Sequence, residues 1–401
     1  MFSLFSSAKA KNTRVLIFDI APSSIGASVV EFSLSEKPQV LACIRSPIPF
    51  QEQFSFPAFQ KLTLSTLLDV SLQVQTTMLP ALSHGRRGSI DEMYCFFSPP
   101  WYLTKTMFLR QTSQKPFEVT KSLIDEMVEK ELQSKQGIDT TAATETIAHD
   151  AVPIERCVIG MLLNGYRTKT PYGKKVVDLE LTYFMSLFSK DMRERVLHMF
   201  QKVFHTDNVT FHSSALAAFT VTRDLFDDGD QFLLCEIGSE VTELFLVREG
   251  ILYQSVSLPL GKNFVLRAVL SKSGGNREEI EERITRIASG TLTPEALTVP
   301  FKEALSYAEA LFMAQLEKAL ALFSDNLTLP SCVYLLTDSP LSNWFAAIFE
   351  REAREKFVLA GYPFATTILS LEHVKSLIIP PSKGTLDVPF AIEALFLHKT
   401  R

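Results

Sequence analysis

The stretch that most restricts what this chain can become is residues 232–264, FLLCEIGSEVTELFLVREGILYQSVSLPLGKNF. An apolar run, 232–235, ends in Glu236, and Ile237-Gly238-Ser239 follows as a tight turn. A second run, 242–247, returns to the charged turn Arg248-Glu249-Gly250, and a third, 251–260, closes on Gly261. Runs of β-formers joined by short glycine-containing turns predict a meander of antiparallel strands. A turn at the end of a buried strand can converge its backbone N–H groups on an anion. An acid just before such a turn can hold a metal ion against a bound phosphate.

The N-terminal part carries a weaker copy of the same unit. Residues 15–20 (VLIFDI) form an apolar strand with Asp19 where the later copy has Glu236. Ala21-Pro22-Ser23-Ser24 makes the turn, 25–32 the return strand and 40–44 the third. A duplicated unit decides the fold before any local detail does. Two related halves are expected, with Asp19 and Glu236 facing one shared cleft.

The rest of the chain sets the limits of this reading. Its 401 residues suffice for two domains with ample cores. The net charge of −5 comes without a basic stripe, which excludes nucleic acid as an expected partner. Five cysteines (Cys43, Cys95, Cys157, Cys235, Cys332) are scattered, with no CxxC pair, and read as core thiols of a reducing compartment. Seven histidines are dispersed without metal-ligand spacing. No apolar run approaches the about 18 residues of a membrane span. Met1-Phe2-Ser3-Leu4-Phe5, followed by Lys9 and Lys11, lacks the apolar region of a secretory signal. It leaves two readings, a frayed terminus and a short interfacial anchor at a membrane.

Along the chain, apolar spacing predicts a helix over 59–79 ended by Pro80. After a loop at 84–89 come a buried strand, 93–98, and an extended segment, 101–110. Lys115-Pro116 marks a boundary. Thr120 caps a helix to about Leu132, and 134–150 is a polar surface loop. Strand 154–163 turns at Asn164-Gly165, and Pro171-Tyr172-Gly173 turns again. Residues 176–184 alternate, with Val177, Leu179, Leu181 and Tyr183 on one face, and Ser189 caps a helix to Phe204. Downstream lie a strand at 209–211, a helix at 214–226 and a solvated turn at 227–230 that lacks the later glutamate of a calcium loop. Helices at 263–270, 277–288 and 301–323, a central strand at 331–337, a helix at 341–353 and an apolar end at 393–397 complete the chain. The stripe Phe301, Leu305, Ala308, Phe312, Leu316, Leu320 and Phe323 reads as core.

Two acid-ended meanders, an insert carrying Asn164-Gly165-Tyr166 with Pro171 and Gly173, and Glu282-Arg283-Ile284-Thr285 on the charged helix together resemble the actin-like ATPase superfamily. Within it the insert pattern is similar to that of the bacterial cell-division protein FtsA, with the pilus-assembly protein PilM as the alternative. The resemblance implies an α/β, two-domain fold with ribonuclease H-like halves and an inserted small α+β subdomain. The first domain is expected over 14–115, completed by about 206–226 and the C-terminal helix, the insert over 116–205 and the second domain over 230–388. It also implies ATP and Mg2+ as ligands. Asp19, Ser23 and Ser24 stand at the first turn, and Glu236, Gly238, Ser239, Thr242 and Gly261 at the second. Glu282 and Arg283 lie on the charged helix and Thr337, Asp338 and Ser339 at the adenosine, with Asp19 and Glu236 as the metal ligands.

The site residues depart from that family pattern in a consistent direction. Ala21 stands where a glycine is expected, and Pro22 removes a backbone donor. Glu236 replaces an aspartate, Glu240 adds a charge beside the phosphates, and Thr337-Asp338 replaces paired glycines. Phosphoryl transfer depends on positioning and charge neutralisation, so an efficient ATPase is not expected and nucleotide binding is expected to be weak or absent. The function implied is an FtsA-like cytoplasmic adaptor that binds cell-division or envelope-assembly proteins at the membrane. A PilM-like pilus-assembly protein and a weak ATPase that self-associates into filaments are the alternatives.

Overall fold

The computed structural model describes residues 12–33, 36–82, 90–133, 151–168, 170–226, 231–324, 329–337, 340–352 and 364–401. The expected N-terminal anchor, the loops at 84–89 and 134–150, the turn at 227–230, Asp338 and Ser339 lie outside the described residues. The chain divides into two compact units, residues 12–98, 194–221 and 370–401 in the first and 99–193 and 222–369 in the second.

The first unit is built on β1 (Thr13–Ile20), β2 (Ser24–Phe32), β3 (Gln39–Pro47), β4 (Glu92–Phe97) and β9 (Val209–Ser213). They form one sheet in the order β3-β2-β1-β4-β9, with β1, β2 and β3 antiparallel and β4 and β9 parallel. β1 is buried along most of its length, the pattern of a strand covered on both faces. Helix α1 (Phe56–Gln73) begins earlier than its periodicity predicts. It runs on through a π-helical turn, Val74–Met78, to a last turn, Leu79–Leu82. Pro80 therefore does not end it; it stands in the last turn, directly after the π-helical turn and Leu79. One cover of the sheet includes Phe200, which lies on the helix Lys190–Phe204 and stands 4.8 Å from Phe18 between ring centroids. The other is the C-terminal helix, Val388–Thr400, whose Phe396 meets Phe96 edge-on at 5.9 Å.

The second unit repeats the arrangement. β10 (Phe232–Ile237), β11 (Thr242–Arg248), β12 (Ile251–Leu258), β13 (Cys332–Leu336) and β14 (Ala365–Ile368) form a sheet in the order β12-β11-β10-β13-β14. Again the first three are antiparallel and the last two parallel. Helices α2 (Lys262–Ser273), α3 (Arg277–Ala288), α4 (Val299–Ser324) and α5 (Ser342–Glu352) belong to this unit. The predicted stripe of α4, from Phe301 to Phe323, is buried at all seven positions.

A further sheet belongs to the second unit, β5 (Tyr102–Glu118), β8 (Lys175–Ser189), β6 (Ala151–Leu163) and β7 (Tyr166–Arg167), in the order β5-β8-β6-β7. The helix Lys121–Gln133 covers one face through Ile124 and Val128, packed with Met107, Leu179 and Leu181. On the other face, Thr104 Oγ1 lies 2.8 Å from Ser255 Oγ of β12, and Phe108 meets Tyr253 at 4.8 Å. Lys115-Pro116, expected as a boundary, falls inside β5. The β5–β8 register shifts between Thr112 and Phe117, so Pro116 interrupts no regular ladder bond.

The alternation expected along 176–184 also breaks. Val176 joins the core under the helix Lys121–Gln133, while Val177 is exposed. The N–H groups of Val177 and Asp178 both donate to Asn164 Oδ1, each at 3.0 Å. Adjacent N–H groups aimed at one acceptor mark a bulge, which turns one residue out of the two-residue period.

Candidate functional site

In the first unit the turn after β1 is a tight hairpin. Asp19 pairs with Gly26 and Ile20 with Ile25 across the hairpin, and Ala21 N–H donates to the Ser24 carbonyl at 3.1 Å. Pro22 has no N–H, and the Ser23 carbonyl accepts from Ile48 N–H at 2.8 Å. The turn thus uses Ala21's donor to close itself.

Asp19 is buried, with 2% of its side chain exposed, and Arg45 of β3 lies against it. Arg45 Nη2 is 2.7 Å from Asp19 Oδ2, Nη1 donates to Ser24 Oγ at 3.0 Å, and Nε donates to Asp387 Oδ2 at 2.6 Å. Its guanidinium also stacks on Phe390, 4.7 Å from the ring centroid. Burial works against the cation, but Asp19 and Asp387 together hold its pKa well above the ordinary arginine value. Asp387 is doubly used, since its Oδ1 caps the C-terminal helix by accepting from Phe390 N–H at 3.0 Å. Gly26 makes room for this arrangement. A Cβ there would stand 2.5 Å from Phe390 and 2.9 Å from the Arg45 guanidinium.

In the second unit the corresponding turn closes in the same way, by Gly238 N–H to the Val241 carbonyl at 3.0 Å. The start of α2 then docks on it. Lys262 N–H donates to the Gly238 carbonyl at 3.1 Å and Asn263 N–H to the Ser239 carbonyl at 2.8 Å. Gly261 is what permits the approach, because a Cβ there would meet the Gly238 carbonyl oxygen at 2.5 Å and Ser239 backbone at 2.6 Å. Backbone cannot yield as a flexible side chain does. Gly261→Ala is therefore expected to cost about 2 kcal/mol, read as a lower urea midpoint with an unchanged m-value. Thr242 Oγ1 donates to the Leu260 carbonyl at 2.8 Å and fixes the far side of the turn.

Glu236, 7% exposed, lies directly across from Glu243 in the β10–β11 register. Glu243 accepts from Ser257 Oγ at 2.5 Å. Burial pushes the Glu243 carboxyl up to about 8; the Ser257 hydrogen bond opposes the shift, and the Glu236 charge adds to it. Glu240 does not act as the loose extra charge that its position suggests. Arg267 clamps it with Nη2 at 2.6 Å and Nη1 at 3.1 Å, and Asn263 Nδ2 donates to it at 2.8 Å. The Oγ of Ser239 and the Oδ1 of Asn263 are buried without a hydrogen-bond partner among the described residues.

The remaining candidates lie on a third element of the second unit. Leu336 pairs with Glu236, so Thr337 leaves the sheet beside Ile237. Thr285 Oγ1 of α3 reaches the Pro340 carbonyl at 3.2 Å, which brings α3 to the turn after β13. Glu282 is exposed and pairs with Arg286 at 3.6 Å, while the Arg283 guanidinium stands 5.8 Å from the Phe301 ring.

The structure thus gathers Asp19, Ser23 and Ser24 in one unit, and Glu236, Gly238, Ser239, Thr242 and Gly261 in the other. Among the described residues, no group of three or more His, Cys, Asp or Glu side chains is placed to hold a metal ion. Arg45, Asp387 and Arg267 escape a reading of the sequence. Asp387 had a signal, a cap residue followed by Pro389 in a first helical turn.

No known family model matches the chain, and no curated protein does. Solved structures do. The PilM–PilN type IV pilus biogenesis complex matches at 14% identity and a TM-score of 0.54, over 96% of this chain and 98% of that one. A Bacteroides thetaiotaomicron protein with actin-like ATPase fold and unknown function matches at 10% identity and 0.42, over 99% of both chains. The ethanolamine utilization protein EutJ of Carboxydothermus hydrogenoformans matches at 10% and 0.43, over 95% of this chain and 89% of that one.

Proposed function

We propose that this chain, an actin-like ATPase-fold protein in which one five-stranded sheet order is used twice, works as a protein-binding adaptor with a degenerate nucleotide site. The observation that carries the reading is the ion pair on Asp19. A carboxylate that would hold Mg2+ against a phosphate is instead bonded to Arg45, itself anchored to Asp387. In the closed hairpin Ala21 N–H is spent on the Ser24 carbonyl and Pro22 has no N–H to offer. The partners of such an adaptor are division or envelope-assembly proteins. The likeness to PilM, a protein seen in complex with PilN, supports the second class.

A nucleotide-dependent activity is the second reading. Ser239 Oγ and Asn263 Oδ1 favour it, since buried polar atoms without partners mark a place where a ligand or water completes the bonding. A titration with ATP–Mg2+ separates the two. A competent site with a dissociation constant of about 10 μM would, at about 1 mM ligand, stabilise the fold by about 2.7 kcal/mol. That corresponds to a rise in Tm of about 5 °C for a protein of this size. The adaptor reading expects a rise of about one degree or less. A rise of several degrees that Glu236→Gln abolishes would put the nucleotide reading first.

A further inference from the structure

The face of the β5-β8-β6-β7 sheet that meets β12 carries a cavity that belongs to neither turn. Its volume is about 200 Å³, and its walls include Phe108, Leu162, Thr182 and Ile251, with Arg110 and Glu180 at the open side. Small-molecule sites usually offer about 300–1,000 Å³, so this one suits a single inserted side chain better than a free metabolite. Phe108 is 54% exposed although it lies on the apolar wall, a large ring left half covered by its neighbour Tyr253. The charges at the mouth do not cancel. Arg110 commits Nε at 3.0 Å and Nη2 at 2.7 Å to Asp178, and its Nη1 lies 3.5 Å from Glu180. One cation against two carboxylates leaves a net negative charge beside an apolar pocket.

We propose that this pocket receives one large apolar side chain of a partner protein, flanked by a lysine or arginine that meets Glu180. A buried aromatic or aliphatic anchor with a charged neighbour at the rim is how binding energy and orientation divide at protein interfaces. The assignment deepens the adaptor reading and rests on it in one respect, that the occupant is a protein.

The test uses the full chain, immobilised and challenged with a phage-displayed library of short random peptides. Enriched peptides are then synthesised and titrated by fluorescence anisotropy against the parent protein, Phe108→Ala and Glu180→Lys. Both positions are substantially exposed, and far-UV circular dichroism confirms that each variant folds. The expected motif pairs an aromatic residue or leucine with Lys or Arg. Affinity should fall about tenfold in Phe108→Ala and about fivefold in Glu180→Lys, and the second loss should shrink at high salt. No enrichment, an acidic motif, or peptides that bind both variants as well as the parent would overturn the assignment. If it fails while ATP–Mg2+ still leaves Tm unchanged, the adaptor reading stands and only the pocket is withdrawn.

Discussion

Arg45→Met is expected to destabilise the first unit by about 3–5 kcal/mol, the usual cost of leaving one member of a buried ion pair behind. Methionine keeps much of the arginine stem, so packing on Phe390 survives in part and the loss reports mainly on charge. Asp19, at 2% exposure, cannot turn to water once its cation is gone. Asp387, at 31%, can, and it retains its bond to Phe390 N–H. The expected loss therefore falls on Asp19. The double variant Asp19→Asn/Arg45→Met removes both charges and should recover most of the stability, giving a coupling energy of about 2–3 kcal/mol. Urea unfolding, followed by a probe in the first unit, measures all three. A single-variant cost under about 1 kcal/mol would mean that Asp19 is solvated or protonated. Arg45 would then not be what closes the first half-site.

What the sequence discloses here is what local rules control. β-rich runs joined by short turns, glycine-containing in the second copy and Ala21-Pro22-Ser23-Ser24 in the first, announce both meanders, and both appear with the expected hairpin pairing. The stripe of α4 is legible because a helix of many turns repeats its apolar period often enough to stand out. The decisive part of the site is not local. Arg45 and Asp387 are separated by 342 positions, and no spacing rule connects a strand-end arginine to the cap of the last helix. Glu240 misleads for a related reason. Its charge is visible in sequence, but its neutralisation by Arg267 depends on how α2 docks against the turn. Val177 fails because a bulge resets the period of two, and the asparagine that holds the bulge lies on the preceding hairpin. The same principle explains β5. Pro116 would end a strand that needed its N–H, but the shifted register around it does not.

The stability of the parent protein should fall as pH rises from about 5 to about 8, and Glu243→Gln should remove that part of the fall. The cause lies in two carboxyl groups facing each other across β10 and β11, both nearly excluded from water. In the unfolded chain Glu243 titrates near its ordinary value of 4.5, whereas burial in the fold pushes it up to about 8. Between those values the folded protein holds a proton that the unfolded chain has released. Stability linked to this group is thus fully present below about 4.5 and is lost as pH rises through the folded value. A tenfold change in proton affinity is worth about 1.4 kcal/mol, so the loss approaches about 4–5 kcal/mol once Glu243 ionises in place. Glutamine keeps the neutral shape and an acceptor for Ser257 Oγ, and it cannot ionise beside Glu236. The variant should therefore differ little from the parent at pH 5 and exceed it by several kcal/mol at pH 9. Urea titrations of both proteins at pH 5, 7 and 9 give the difference directly, and other titrating groups cancel between them. A difference that stays constant across that range would show that Glu243 is already ionised in the fold.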